Sequence, residues 1–282
     1  MAAGRTVLVR GSAVQVLDVG SGPAVLLLHG SGPGTTGAGS WGATAEALAG
    51  SCRLVAPDLA GFGGTPLPPG SRGGRRTWTE QASGLVDALG LDRYVVVGHS
   101  MGAAVALSLA VARPSQVAGV VAVSAMGAPG APLSPDLEAV WAAPPGRDGA
   151  RDMLSRLLLD PALVGEQAVT ARAAAMEAGE AAFEGLFPPP RQRWVDDLAL
   201  APAELAGVRA PVLLVHGAQD TVTPLATSVP ALLASLPDAR LHVLDRCGHA
   251  PAVEHPDAFR ALLADFLGVE APPDRRQDGR PS

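Results

Sequence analysis

The pentapeptide GHSMG at residues 98–102 contains a serine flanked by glycines and is the strongest chemical signal in the chain. The apolar run before it, residues 94–97, predicts a strand, and the small residues after it, 103–112, predict a helix. Between a strand and a helix, G-x-S-x-G forms a nucleophile elbow. In that strained turn, a side chain at either flanking glycine would collide with the neighbouring strand or helix. The pattern therefore predicts Ser100 as an exposed nucleophile.

A serine nucleophile needs a base within hydrogen-bond reach and an acid that orients the base. His249 follows the last predicted strand and Asp220 follows the preceding one, so both loops reach the edge of the sheet that carries the serine. The oxyanion of the reaction needs backbone donors. Met101 N–H, at the start of a helix, and Ser31 N–H, in a glycine-rich loop, meet that need. The sequence predicts a triad of Ser100, Asp220 and His249, with an oxyanion hole of Ser31 and Met101.

Other histidines and acids are interpreted as structural. His29 is expected to bond backbone groups that hold the glycine-rich loop, and Asp58 is expected to stabilise its own turn. The remaining candidates are also interpreted as non-catalytic: Asp196, Asp197, His216, His242 and His255.

Strands and helices alternate along most of the chain. Short continuous apolar runs predict strands covered on both faces, as in a parallel sheet, and a turn at residues 11–12 predicts an antiparallel hairpin at one edge. The predicted strands are residues 6–10, 13–18, 24–28, 53–56, 94–97, 117–124, 211–216 and 240–244. The predicted helices are residues 41–49, 78–89, 103–112, 224–235 and 258–267. Thr77 and Glu80 match a capping box for the second of these helices.

The alternation stops between residues 126 and 206. Proline and glycine interrupt this stretch, and residues 151–159 and 164–178 are predicted to be amphipathic helices. A helical insertion in an α/β pattern is typical of a lid over a site. We therefore predict an α/β core from residues 1–125 and 207–270, a helical lid from residues 126–206, and a disordered tail from residues 271–282.

Composition limits the class of protein. The net charge of −6 disfavours nucleic acid or an anionic membrane as a partner. No apolar run approaches the roughly 18 residues of a membrane span, and no secretion signal is visible at the start of the sequence. Cys52 and Cys247 are expected to be buried free thiols. We expect a soluble, cytoplasmic protein that acts on a small molecule without a cofactor or metal, with the lid helices as a candidate homodimer surface.

The order of serine, acid and histidine resembles the α/β-hydrolase superfamily over about residues 5–270. Within that superfamily, two stretches carry a more specific resemblance. Residues 29–34, HGSGPG, look like the loop of meta-cleavage product hydrolases, which cut carbon–carbon bonds in ring-fission products of aromatic catabolism. Residues 163–172 are similar to the lid of those enzymes, which ends in an arginine that contacts the substrate carboxylate. The resemblance implies this role for Arg172; an ordinary surface arginine is the alternative, with Arg191 and Arg193 as rival anion contacts.

Three positions depart from that family. Well-known members have an asparagine before the nucleophile, another in the loop before the first helix, and a tryptophan after the catalytic histidine. This chain has His99, Ser40 and Ala250 there. His99 and Ser40 can still donate hydrogen bonds, whereas Ala250 removes a large wall of the pocket. With Gly32 and Arg172, these residues are the predicted substrate contacts.

The leading hypothesis is a serine-type hydrolase that cleaves a carbon–carbon bond of a 2-hydroxy-6-oxo-dienoate-like ring-fission product through an acyl-enzyme. A carboxylic ester or lactone hydrolase of secondary metabolism is an alternative, because GHSMG is also common in esterases. A non-catalytic binding protein of the same fold is a second alternative, and the intact nucleophile, base, acid and oxyanion loop argue against it. Dehalogenase and epoxide hydrolase chemistry is disfavoured because those relatives place aspartate where Ser100 stands.

Overall fold

The computed structural model describes residues 4–183 and 185–270. The predicted disordered tail, residues 271–282, lies outside the described residues. The strands are β1 (Arg5–Val9), β2 (Ser12–Gly20), β3 (Ala24–Leu28), β4 (Arg53–Pro57), β5 (Tyr94–His99), β6 (Val117–Val123), β7 (Val212–Gly217) and β8 (Ala239–Leu244). The helices are α1 (Gly37–Leu48), α2 (Arg75–Ala88), α3 (Met101–Ala112), α4 (Pro135–Ala142), α5 (Arg147–Leu157), α6 (Glu166–Phe183), α7 (Gln192–Leu198), α8 (Pro202–Leu205), α9 (Leu225–Ser235), α10 (Pro251–Glu254) and α11 (Pro256–Leu267).

In the described residues, the strands form one eight-stranded sheet in the order β1-β2-β4-β3-β5-β6-β7-β8. β2 pairs antiparallel with both β1 and β4, whereas the pairs from β4 to β8 are parallel. The predicted fold, a mostly parallel sheet with an antiparallel hairpin at its edge, is confirmed. Because the parallel strands end at one edge, the loops after β3, β5, β7 and β8 converge there.

The sheet is covered by helices on both faces, as β3 illustrates. Leu26 and Leu28 belong to the buried cluster beneath α2 and α3, while Val25 and Leu27 belong to the cluster beneath α1 and α11. Side chains of a strand alternate between the two faces of its sheet, so a continuous apolar run serves both clusters. This double coverage accounts for the absence of polar alternation in the central strands.

The capping box predicted for α2 is wrong. The helix begins at Arg75, so Thr77 lies within its first turn, and Glu80 instead pairs with Arg76. The N–H of Arg75 donates to Asp197 Oδ2 at 2.8 Å. The first turn of α2 is therefore capped by a side chain from a distant part of the chain, which leaves no signal in the local sequence.

Residues 126–206, here called the lid segment, contain α4 to α8 between β6 and β7. The two predicted amphipathic helices correspond to α5 and α6. Hydrogen bonds join the lid segment to loops at the sheet edge, including the loops after β7 and β8. His249 N–H donates to Leu157 O at the end of α5 at 2.9 Å, and Ser134 Oγ donates to Val222 O at 2.7 Å. The lid segment is thereby attached to the loops after β7 and β8.

Candidate active site

Ser100 lies in the turn between β5 and α3, with φ of 55° and ψ of −117°. The expectation that it is exposed is wrong: Ser100 is 3% exposed, because the cavity that it lines is also walled by residues of the lid segment. Residues other than glycine rarely adopt a positive φ, so the backbone of this serine is strained. A Cβ on Gly98 would lie 2.1 Å from Gly102 O, and a Cβ on Gly102 would lie 2.4 Å from Leu28 O. Both distances are far below van der Waals contact. The predicted need for glycine on each side of the serine is confirmed.

Asp220 and His249 are hydrogen-bonded side chains in the loops after β7 and β8. His249 Nδ1 donates to Asp220 Oδ2 at 2.9 Å. Asp220 Oδ1 accepts the N–H groups of Val222 and Thr223, each at 2.9 Å. Because the carboxylate accepts the Nδ1 proton, the unprotonated nitrogen of neutral His249 is Nε2. His249 and Ser100 line the same cavity, so the structure brings the predicted acid, base and nucleophile together.

Two neighbours of Asp220 were missing from the sequence-based site. Thr223 Oγ1 donates to Asp220 Oδ2 at 2.9 Å, and His216 Nε2 lies 3.4 Å from the same oxygen while donating to Thr223 O at 2.7 Å. Burial acts to raise the pKa of Asp220, but the charge and hydrogen bond of His249, with His216 and the Thr223 N–H, hold that pKa well below its usual range. The position of Thr223, three residues after the acid, is a turn pattern that could have indicated this contact.

The loop after β3 and the start of α3 meet at Ser100. Met101 is the first residue of α3, so its N–H is among the donors that a helix leaves unpaired at its N-terminus. Ser31 is buried and lines the cavity. His29 holds the loop, as predicted, because Leu59 N–H donates to its Nε2 at 2.9 Å and its Nδ1 donates to Gly30 O at 2.7 Å. Burial lowers the pKa of His29, which favours the neutral ring.

The other acids and histidines occupy structural positions. Asp58 accepts the N–H groups of Gly37 and Gly64 at 2.8 Å and 2.9 Å, which joins its own turn to the start of α1. His255 donates to Arg246 O at 2.9 Å, and His242 is exposed on β8. These contacts agree with the structural roles expected for these residues.

A cavity of about 210 Å³ lies between the sheet edge and the lid segment. Ser31, Ser100 and His249 line its floor, and apolar side chains make most of its wall. The apolar residues of the wall include Leu137, Val140, Leu154, Leu157, Leu158, Leu163, Ala168, Val222 and Val253. Such a cavity suits a small, largely apolar molecule with a few polar groups.

Arg172, on α6, lines this cavity. Its Nη1 donates to Pro33 O and to Thr35 Oγ1, each at 3.3 Å. Arg172 forms no ion pair within residues 4–183 and 185–270. Burial lowers the pKa of its guanidinium, because no carboxylate offsets the loss of water. The cavity therefore contains a cation without a counter-ion in the described part of the chain.

The two rival arginines lie elsewhere. Arg191 lines a separate groove with Phe183 and Phe187. The guanidinium of Arg193 lies over the ring of Trp194, 4.9 Å from its centroid. Neither arginine lines the cavity above Ser100.

The other predicted substrate contacts, Gly32, Ser40, His99 and Ala250, all line the cavity. His99 makes a contact that the sequence did not indicate, because its Nε2 donates to His249 O at 2.8 Å and the two rings lie 4.7 Å apart between centroids. Burial, with the charge of His249, lowers the pKa of His99 to about 3. His99 is therefore a neutral ring that supports the backbone of His249. Because its one N–H is donated to His249 O, the expectation that His99 donates a hydrogen bond to the substrate is wrong, and only Nδ1 remains, as an acceptor.

The described residues contain neither a candidate metal site nor a candidate membrane-spanning helix. Residues 4–183 and 185–270 contain no group of three or more His, Cys, Asp or Glu side chains arranged to hold a metal ion. None of the helices in these ranges combines the length and the apolar character that a membrane crossing requires.

The fold and the Ser–His–Asp arrangement define a class of protein, and comparison with known proteins agrees. Residues 25–262 match the model of the alpha/beta hydrolase family, and the chain belongs to that family. It is 38% identical to the 2-hydroxy-6-oxo-2,4-heptadienoate hydrolase of Pseudomonas putida, over 95% of this chain and 97% of the relative. It is 36% identical to a 2-hydroxymuconate semialdehyde hydrolase of a Pseudomonas species, over 94% of this chain and 93% of the relative.

A solved structure is similar over nearly the whole length. The meta-cleavage product hydrolase CumD of Pseudomonas fluorescens IP01 aligns with a TM-score of 0.90 at 32% identity, covering 94% of this chain and 97% of CumD. The chain is thus a hydrolase with the α/β-hydrolase fold and a serine, histidine and aspartate arranged for nucleophilic catalysis. The predicted class of enzyme and the resemblance to meta-cleavage product hydrolases are confirmed.

Proposed function

We propose that this enzyme hydrolyses a carbon–carbon bond of a 2-hydroxy-6-oxo-dienoate, with Ser100 as nucleophile, His249 as base and Asp220 as the acid that orients the base. The observation that carries the proposal is Arg172, a cation without a counter-ion in a largely apolar cavity that also contains Ser100 and His249. A substrate carboxylate would supply the missing charge and bind the guanidinium bidentately. Relatives at 38% and 36% identity, whose names specify such dienoates, support the same substrate class.

The reaction begins when the dienol becomes its keto tautomer. The proton of the 2-hydroxyl group leaves and C5 gains a proton, which gives a ketone at C2 and another at C6. Arg172 holds the carboxylate, and His99, Ser40 and Gly32 offer polar contacts along the substrate. The small side chain of Ala250 leaves room near the base. The C6 ketone is then an electrophile above Ser100.

Acylation follows at C6. His249 Nε2 takes the proton of Ser100, and Oγ attacks the C6 carbonyl carbon. The N–H groups of Met101 and Ser31 stabilise the oxyanion, and the loss of one such donor raises the barrier by about 3 kcal/mol. Collapse of the tetrahedral intermediate breaks the bond between C5 and C6. The electron pair is delocalised as a dienolate, C5 receives the proton from His249, and Ser100 remains acylated.

Water completes the reaction. His249 takes a proton from water, the resulting hydroxide attacks the acyl carbon, and Ser100 leaves with the proton returned. Asp220 keeps His249 in the required tautomer and offsets its positive charge in both halves of the reaction. The atoms and electrons balance with water as the only co-substrate.

Arg172→Ala tests the proposal. It is expected to lower kcat/KM for a 2-hydroxy-6-oxo-dienoate about 10- to 100-fold, because charge-assisted hydrogen bonds contribute roughly 1.5–3 kcal/mol. Hydrolysis of p-nitrophenyl acetate, which lacks a carboxylate, is expected to stay near the wild-type rate. Turnover of the dienoate is measured by the decrease of its absorbance.

Arg191→Ala is the matched control, because this arginine lines a separate groove. It is expected to leave both activities unchanged. A wild-type enzyme that hydrolyses the ester but gives no detectable dienoate turnover would overturn the proposed substrate and favour an ester or lactone hydrolase.

We also propose that residues 126–206 act as a lid on a core of residues 1–125 and 207–270. A further proposal is that the enzyme works in the cytoplasm and forms a homodimer. The edge strand β8 supports a homodimer, because Leu241 and Val243 are 37% and 41% exposed there. The lid helices are the alternative surface. Light scattering of wild type and Val243→Lys tests the dimer, which is expected to weaken in the variant, and cell fractionation tests the location.

A further inference from the structure

One buried hydrogen bond between the lid segment and the glycine-rich loop has no place in the mechanism above. Trp141, near the end of α4, donates its Nε1–H to Ser31 Oγ at 2.8 Å. Both residues are 3% exposed. Ser31 is also a predicted oxyanion donor through its backbone N–H, so a lid side chain contacts the residue that stabilises the reaction intermediate.

The chemistry of the two groups decides the direction of this bond. An indole nitrogen can only donate, so the Ser31 hydroxyl oxygen must be the acceptor. The hydroxyl hydrogen is therefore directed away from Trp141. Within residues 4–183 and 185–270, the Ser31 hydroxyl makes no second hydrogen bond, and Ser31 lines the cavity. Its O–H is thus available to a ligand in the cavity.

Trp141 is held from two sides. Its ring stacks on Phe187, with centroids 4.5 Å apart and an interplanar angle of 1°. At the other end of α4, Ser134 Oγ accepts the N–H of Leu137 at 3.0 Å and donates to Val222 O at 2.7 Å. The helix therefore connects the loop that carries the acid with the loop that carries Ser31. Such support restricts the indole to one orientation.

We propose that Trp141 is a positioning residue: its indole N–H orients the Ser31 hydroxyl so that this hydroxyl donates a hydrogen bond to a carbonyl oxygen of the substrate. The proposal rests on the proposed function, because the acceptor is an oxygen of the dienoate or of the acyl-enzyme. The lid segment then contributes to catalysis beyond enclosing the substrate. It sets the direction of a donor beside the reacting carbon.

The experiment is a double-mutant cycle of wild type, Trp141→Phe, Ser31→Ala and the double variant. Trp141→Phe keeps an aromatic ring against Phe187 but removes the donor. Each single variant is expected to lower kcat for the dienoate about tenfold with little change in KM, because a hydrogen bond to the reacting centre is lost. The double variant is expected to be no slower than Ser31→Ala alone, because the indole acts only through the hydroxyl.

Trp194→Phe is the matched control. In the wild type, Trp194 Nε1 donates to Pro188 O at 3.0 Å, and the Trp194 ring lies 5.7 Å from the Phe187 ring between centroids. The substitution therefore removes an indole N–H from the same aromatic cluster. It is expected to retain the wild-type kcat. A wild-type kcat for Trp141→Phe, or a double variant whose loss is the product of the two single losses, would overturn the proposal.

A second pair of variants, Ser31→Thr and Ser31→Ala, is used if Trp141→Phe fails to fold. Ser31→Thr retains a hydroxyl and is expected to keep most of the wild-type kcat. Equal losses of kcat in the two variants would contradict the role of that hydroxyl. The same cycle is measured with p-nitrophenyl acetate. A wild type without dienoate turnover would refute the proposed function, while the coupling of Trp141 to Ser31 would still be decided on the ester.

Discussion

The substitution Asp220→Asn tests the acid–base pair, because the two oxygens of Asp220 have different partners. Oδ1 accepts the backbone N–H groups of Val222 and Thr223, and Oδ2 accepts His249 Nδ1–H. In Asp220→Asn, the carbonyl oxygen must take the Oδ1 position, since an NH₂ group there would face two donors. The NH₂ group is therefore expected at the Oδ2 position, where it donates to His249 Nδ1.

That donation reverses the tautomer of His249. With Nδ1 as an acceptor, the proton moves to Nε2, and the ring can no longer accept the proton of Ser100. An inverted tautomer lowers kcat about 10⁴-fold, which corresponds to about 5.5 kcal/mol in the barrier. The assay is steady-state turnover of the dienoate and of p-nitrophenyl acetate, with both substrates expected to lose the same factor.

Asp58→Asn is the control, because Asp58 also accepts two backbone N–H groups but takes no part in the proposed mechanism. It is expected to lower the free energy of unfolding and to retain about the wild-type kcat. If Asp220→Asn kept more than about a tenth of the wild-type kcat, the orientation argument and the assigned tautomer would both be refuted.

Asp220 also predicts a dependence of stability on pH. Its pKa is depressed in the folded protein, so its contribution to stability is complete above the unfolded pKa of about 3.9 and is lost as the pH falls through the folded pKa. The difference in unfolding free energy between wild type and Asp220→Asn is expected to stay constant from about pH 7 to 5 and to shrink below about pH 4. Urea unfolding measures this difference, and a gap that widened in acid would contradict the sign.

Two further predictions concern the elements that position the site. Gly102→Ala is expected to abolish most activity and to destabilise the fold, because the added Cβ would lie 2.4 Å from Leu28 O. Gly42→Ala is the control, because nothing lies within 4 Å of its added Cβ, and it is expected to stabilise α1 by about 0.5–1 kcal/mol. Equal effects in the two variants, measured by urea unfolding and ester hydrolysis, would refute the steric argument. Asp197→Ala is expected to cost about 1 kcal/mol of unfolding free energy, because the Arg75 N–H loses its acceptor. An unchanged urea midpoint would argue against this cap.

The order of the elements could be predicted from the sequence because it depends on local patterns. Continuous apolar runs indicated the central strands, and β3 has the predicted bounds. The start of α1 lay earlier than expected: its cap, Thr36, precedes a run of small residues with little apolar periodicity. The cap of α2 could not be found, because Asp197 reaches it only after the lid segment has folded back onto the core.

In the candidate site, too, the positions of residues along the chain could be predicted, whereas contacts between distant side chains could not. Ser100, Asp220 and His249 each follow a recognisable strand, so topology alone indicates that they meet. The contacts of Thr223 with Asp220 and of Trp141 with Ser31 depend on side-chain direction, which neither spacing nor composition specifies. Sequence reasoning therefore predicted the three residues of the proposed triad, whereas it missed the contacts that Thr223 and Trp141 make with Asp220 and Ser31.

The cap on α2 bears on how enzymes of this family could be recombined. Lid segments are attractive units for exchange between relatives, because they line the cavity and the sheet remains intact. In this chain, however, the incoming segment would also have to supply a carboxylate at position 197 for the Arg75 N–H. A chimera with a new cavity but without that carboxylate would leave the start of α2 uncapped. The relative that supplies the lid segment should therefore be chosen for an acidic residue at this position as well as for its substrate preference.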